Sequence, residues 1–122
     1  MKKKFLITGS SGMLGKSLVK LFKKKRYKIL TPSSKELNLL SHKSIKSYLN
    51  KKKPNYIIHL AAYVGGIGAN INNPIKFLHS NILMSINLIE IASNMKIKNF
   101  LNIGSSCVYP ANCLKPMNEN KL

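Results

Sequence analysis

Apolar residues recur along this chain in two alternating rhythms. Lys4 to Thr8 is a short apolar run broken by Gly9-Ser10-Ser11-Gly12, with the length and flanks of a buried strand. From Met13 to about Lys25, Leu14, Leu18, Leu21 and Phe22 share one helical face, and Lys16, Lys20, Lys23 and Lys24 form the solvated opposite face. Tyr27 to Thr31 reads as a second strand. Ser41 is placed to cap a helix carrying Ile45, Tyr48 and Leu49, which ends before Pro54. Tyr56 to Leu60 is a third strand, apolar nearly throughout, as a strand covered on both faces should be. Asn73-Pro74 opens the longest helix, reaching about Asn94, with proline at its first position. Its apolar residues, among them Phe77, Leu78, Ile82, Ile86, Leu88 and Ile89, spread beyond one stripe. One face covers the sheet, and the excess predicts a second partner, from another subunit or from further chain. Phe100 to Ile103 is a fourth strand, followed by Gly104-Ser105-Ser106-Cys107 and an irregular tail. This βαβαβαβ order predicts an α/β protein with a doubly wound parallel sheet and right-handed crossovers. Four strands would be the first half of such a fold plus one strand across its switch point.

Composition narrows the class. The chain has 122 residues, 44% of them hydrophobic, enough for one small domain with a core and too apolar for wholesale disorder. Two cysteines, Cys107 and Cys113, exclude a disulfide-rich scaffold. No apolar run approaches the roughly 20 residues that span a bilayer. The lysine-rich opening is followed by only Phe5-Leu6-Ile7 before Thr8-Gly9, too short for an export signal. The expected compartment is cytoplasmic, with both thiols reduced. No Cys/His set has metal-ligand spacing, so no metal is expected.

The charge is extreme: 21 Lys+Arg against 3 Asp+Glu, a net +18. Such a field attracts polyanions. Yet 20 of the 21 are lysine, and Lys, Asn and Ile together fill 48 of 122 positions, as an A+T-rich coding sequence would produce. Sequence-specific nucleic-acid readers draw on arginine for bidentate contacts, and Arg26 stands alone. The charge therefore reads as compositional, with weak nonspecific adhesion to nucleic acid and no specific nucleic-acid or membrane partner.

The chemistry begins at Thr8-Gly9-Ser10-Ser11-Gly12-Met13-Leu14-Gly15, with glycines at i, i+3 and i+6 between a strand and a helix. The first glycine allows a sharp turn, the second lets backbone approach a pyrophosphate, and the third lets the helix pack closely. The helix N-terminus adds partial positive charge. At the opening of a βαβ unit, this pattern predicts a bound dinucleotide.

Together with Ile58-His59-Leu60-Ala61-Ala62 and Ser105-Ser106-x-x-Tyr109, the glycine turn resembles the extended short-chain dehydrogenase/reductase family, the NAD-dependent epimerases/dehydratases. That resemblance implies a Rossmann-like fold. Within the family, Val64-Gly65-Gly66-Ile67, Ala69-Asn70 and Gly104-Ser105-Ser106-Cys107-Val108-Tyr109-Pro110 are most similar to the GDP-L-fucose synthases, over about Lys4 to Leu122. The resemblance implies epimerisation of GDP-4-keto-6-deoxy-D-mannose at C3 and C5, then reduction of its C4 ketone with NADPH. It implies that Ser105 hydrogen-bonds the C4 oxygen, where hydride delivery builds negative charge. The alternative for Ser105 is a loop hydroxyl satisfying local backbone. Ser106 is expected to support it. Cys107 matches the acid/base cysteine of epimerisation, a thiol tunable toward neutrality; its alternative is a small buried hydrophobe. Cys113 reads as a loop thiol, His59 as a satisfied strand histidine and His79 as a helix-surface one.

The resemblance also implies a cofactor path. Gly9, Ser10, Ser11, Gly12, Met13, Leu14 and Gly15 cradle the pyrophosphate; Leu60, Ala61, Ala62 and Gly104 line the way to the nicotinamide. The adenosine half should lie over Thr31-Pro32-Ser33-Ser34-Lys35-Glu36, with Asn38 and Leu39 near the adenine. The arginines usual in the glycine turn and after strand two are replaced by Ser11 and Ser34, and Asn38 stands where aspartate is commoner. Lys35 with Ser33 and Ser34 can hold a phosphate, so NADP is favoured and NAD stays open.

No Tyr-x-x-x-Lys follows the fourth strand, although the family's proton donor lies in such a pattern. Residues 1–122 are thus expected to be the N-terminal part of a dinucleotide-binding domain. The C-terminal substrate domain is expected to lie beyond these residues, and the parent enzyme is expected to pair as a homodimer through the long helix. This chain alone is expected to be inactive. Strand four would present an unpaired apolar edge. Other readings are a related reductase or epimerase acting on a different nucleotide sugar, a non-catalytic dinucleotide-binding module, and a basic nucleic-acid binder.

Overall fold

A computed structural model describes residues 3–105, 108–110, 112–113 and 118–121. In chain order it contains β1 (Lys4–Thr8), α1 (Met13–Lys24), β2 (Lys28–Leu30), α2 (His42–Lys52), β3 (Tyr56–His59), α3 (Ile67–Asn72), α4 (Pro74–Asn94) and β4 (Asn99–Asn102). A 3-10 turn covers Glu119–Lys121.

The helix ends follow from local chemistry. Ser41 accepts the Ser44 N–H at 3.2 Å and caps α2 as its sequence position predicts. After α1, Arg26 takes a left-handed φ of 57°, Arg26 N–H reaches the Lys23 carbonyl and Tyr27 N–H reaches Phe22. This is a Schellman ending, sealed by the Phe22 and Tyr27 rings 5.2 Å apart. Lys96 and Ile97 close α4 in the same way on Ser93 and Ala92.

All strand pairs are parallel, in the order β2-β1-β3-β4. The expectation of one strand across the switch point is corrected: the order reverses between β1 and β3, and two strands lie beyond. The segment after β2 forms no strand. It folds as turns that bury Leu37 and Leu39 in the core, and α2 carries the chain across to the other side of β1. Strand β2 is three residues long, shorter than expected. Strand β4 begins one residue early, although Ile103 N–H still reaches the His59 carbonyl at 3.3 Å.

Alternation along the strands divides the core in two. On one face Leu30, Leu6, Ile57 and Phe100 align across the sheet. They pack against Ile45 and Leu49 of α2 and Leu88, Ile91 and Ala92 of α4. Each wholly buried leucine or isoleucine there contributes about 2–3 kcal/mol. On the other face, Phe5 meets Tyr56, Phe22 and Tyr27 at centroid distances of 4.5, 5.0 and 5.1 Å. That face thins toward the edge: Ile7 is fully buried, whereas Leu101 is 52% exposed. The apolar excess of α4 is also real, with Ile75, Leu78, Ile82, Ile86 and Ile89 all exposed. Among the described residues, no helix is long and apolar enough to cross a membrane.

Candidate functional site

The carboxyl ends of β1, β2 and β3 open into one cavity of about 530 Å³, at the position where the strand order reverses. That volume lies within the usual range of small-molecule sites. Its floor is the glycine turn. Gly9 has a φ of +66°, and a Cβ there would stand 2.7 Å from the backbone of Leu60 and Ala61. The turn and the end of β3 are therefore in main-chain contact, which only glycine permits. A Cβ on Gly15 would come within 2.2 Å of the Gly9 carbonyl, so α1 packs on the turn itself. Gly12 differs: an added Cβ would meet only the Gly9 oxygen, at 3.4 Å. Space in front of Gly12 is left to the cavity. Gly12 also N-caps α1 with no side-chain hydrogen bond, so no cap occupies that helix terminus.

One wall comes from the end of β3. Thr8 Oγ1 accepts the N–H groups of Leu60 and Ala61 at 3.2 and 3.3 Å. Its own proton is left for His59 Nδ1, 2.7 Å away, and His59 Nε2 faces Ser85 Oγ at 3.4 Å. A hydroxyl has two lone pairs and one proton. Since both lone pairs of Thr8 take amides, His59 accepts at Nδ1 and carries its proton on Nε2. Burial pushes the His59 imidazole below its ordinary pKa and favours this neutral form. Further along, Asn81 of α4 accepts the Tyr63 N–H at 2.7 Å and donates to the Tyr63 carbonyl at 3.0 Å, holding the wall from outside.

The opposite wall follows β2. Ser33 N–H and Ser33 Oγ both donate to Glu36 Oε2 at 2.9 Å. The backbone donor first, then the hydroxyl, holds the Glu36 carboxyl below its usual range. The acid nearest the expected adenosine position is thus occupied by its own turn.

Of the residues expected from sequence, Gly9, Ser10, Ser11, Gly12, Met13, Leu14, Gly15, Ser34, Asn38, Leu39, Leu60, Ala61 and Ala62 line this cavity. Lys35 and Gly104 do not. Lys35 follows Ser34 on the turn without reaching the wall, and Gly104 lies beyond the edge strand β4 with open space around it. Thr8, Pro32, Ser33, Tyr63, Val64 and Met84 also line it. Thr8 could have been found as the one polar residue closing an apolar strand. Met84 arrives from a distant helix, without a local signal. Ser105 lies exposed past β4, its carbonyl accepting the Val108 N–H at 3.3 Å. Ser106 and Cys107 fall outside the described residues. His79 is on the exposed side of α4, as its position suggests.

A glycine turn between the first strand and helix of a doubly wound parallel sheet, with a cavity at the switch point, defines a Rossmann-like protein. The chain belongs to the NAD dependent epimerase/dehydratase family, whose model matches residues 5–122. It is 51% identical over 119 residues to a GDP-L-colitose synthase of Yersinia pseudotuberculosis, covering 98% of this chain and 39% of that protein. It is 36% identical over 117 residues to a GDP-L-fucose synthase of Azorhizobium caulinodans, covering 96% and 38%. A GDP-L-fucose synthetase from Naegleria fowleri bound to NADP superposes with a TM-score of 0.83 at 29% identity, covering 98% of this chain and 36% of that one. The chain therefore spans under two fifths of the length of these relatives.

Proposed function

We propose that the cavity binds NAD(P), with NADP preferred, and that this chain is the cofactor-binding part of a reductase/epimerase acting on a GDP-linked keto-deoxy sugar. One observation carries the reading: the open cradle in front of Gly12, between the N-terminus of α1 and the wall at the end of β3. Backbone N–H groups and partial positive charge converge there, as a pyrophosphate requires. Ser34 on the opposite wall offers a hydroxyl to an adenosine-side phosphate, and Lys35 beside it can reach over it. A bound nicotinamide supplies hydride to the C4 ketone. Ser105 is then the hydrogen-bond donor to the ketone oxygen, and Cys107 moves the proton on the neighbouring carbon. The names of the relatives support the GDP-sugar class, which includes GDP-4-keto-6-deoxy-D-mannose. The exposed isoleucine row of α4 supports a homodimeric parent enzyme.

Titration with NADPH, followed by the nucleotide's own fluorescence, tests the cradle. Gly12→Val should weaken binding about tenfold or more, since its methyls occupy the pyrophosphate position, while far-UV dichroism stays unchanged. Saturable binding that is indifferent to Gly12→Val, or no binding by the parent chain near pH 8, would overturn the reading.

A further inference from the structure

The row Thr8–His59–Ser85, buried at Thr8 and His59, touches the cavity wall without belonging to the glycine turn. Thr8 and His59 are neighbours in register on β1 and β3, and both are almost fully buried. Their side chains point to the α4 side of the sheet, where Ser85 meets the ring. We propose that His59 is a positioning residue that holds the Leu60–Ala61 wall of the dinucleotide groove only as the neutral imidazole, making cofactor affinity fall as the ring takes up a proton. This rests on the reading of the cavity as an NAD(P) site.

Thr8 Oγ1 receives two amide protons, from Leu60 and Ala61, and delivers its own to His59 Nδ1. Protonated histidine carries hydrogen on both ring nitrogens. Three donors, Leu60 N–H, Ala61 N–H and His59 Nδ1–H, would then compete for two lone pairs. The 2.7 Å contact allows no retreat without movement, so one amide of the wall must be released. Those amides belong to the residues that stand against Gly9, so their release loosens both the wall and the turn. Among the described residues, the groups facing the ring offer the proton no compensation. From β1 the ring meets Thr8, from α4 Ser85, and Asn102 of β4 is paired beside it in register. None of these carries a charge. Burial alone moves the imidazole down. The groove is therefore intact above the ring's folded-state pKa, which lies below the ordinary histidine value, and is released as pH drops through it.

The test is NADPH affinity of the 122-residue chain between about pH 8 and about pH 5.5, beside His59→Gln, whose amide can accept from Thr8 and donate to Ser85 but does not titrate. The parent should lose affinity more steeply than the variant, by about fivefold over this range. Parallel profiles would overturn the role of His59 alone. No binding by the parent at about pH 8 would instead overturn the dinucleotide reading. Should His59→Gln fail to fold, hydrogen exchange of the unsubstituted chain decides. Protection of the Leu60 and Ala61 amides should fall on acidification while that of Ile57 holds, and unchanged protection at Leu60 and Ala61 would overturn the proposal.

Discussion

The turn after β1 and the segment after β4 lie at the same end of one parallel sheet and are held in opposite ways. At the first, main chain touches main chain. The positions where Cβ atoms of Gly9 and Gly15 would sit are already taken by Leu60, Ala61, Ser10 and the Gly9 carbonyl. At the second, Gly104 has nothing within 4 Å of its own Cβ position, Leu101 and Ile103 are about half exposed, and Ser105 is exposed. The side that fits a cofactor is determined within this chain. The side carrying the candidate donor Ser105 includes backbone bonds from Ile103 to His59 and from Val108 to Ser105. The cavity is thereby built from the carboxyl ends of β1, β2 and β3, whereas the segment carrying Ser105 lies apart from it, past the β4 edge.

Replacing Gly9 by alanine attacks the tighter side where it is tightest. The methyl would be forced into the Leu60–Ala61 backbone at 2.7–2.8 Å, on a residue whose φ of +66° already disfavours any side chain. We expect a loss of about 4 kcal/mol in chemical denaturation, the sum of overpacking and left-handed strain. A loss under about 1 kcal/mol would mean that the wall yields, and the contrast between the two regions would dissolve.

Thr8→Val keeps shape while removing the hydroxyl that gathers the wall. Two amides and one imidazole nitrogen lose their partner at once. Leaving buried polar groups unpaired costs about 1–3 kcal/mol each, offset here by the better burial of a methyl, so about 2 kcal/mol of stability should go. The same variant should bind NADPH more weakly at every pH. Unaltered denaturation with unaltered binding would show that sterics alone hold the wall.

These two residues also mark how far sequence reaches. Lys4–Thr8, Met13–Lys24 and Pro74–Asn94 were legible because apolar period, a glycine or proline boundary and length agree at each. Helix α3 was not: none of its residues is buried to produce a stripe. The strand order was misread because nothing local distinguishes a chain that crosses β1 from one that stays beside β2. Leu37 and Leu39 settle it only through long-range burial. In the groove, the glycines announce themselves, since their reason is local backbone. Tyr63 and Met84 do not, because what places them is α4: Asn81 clamps the Tyr63 backbone, and Met84 rides on the helix itself. His59 was read as a satisfied strand histidine, and its partners bear that description. What the sequence did not disclose is that its partner Thr8 also holds the groove wall.

Gly104→Ala should have the smallest effect and probes the looser side. The sequence resemblance assigns Gly104 to the nicotinamide path, whereas the structure leaves it off the cavity wall with room for a methyl and without a left-handed φ. Alanine there restricts the unfolded chain and displaces nothing, so stability should stay within about 0.5 kcal/mol or rise slightly. NADPH affinity should likewise stay within about twofold of the parent. A clear loss of affinity with unchanged stability would show that the segment after β4 moves onto the cofactor when it binds. Ser105, one residue further on, would be carried with it toward the nicotinamide end, and the loosely held side would become the part of the site that closes.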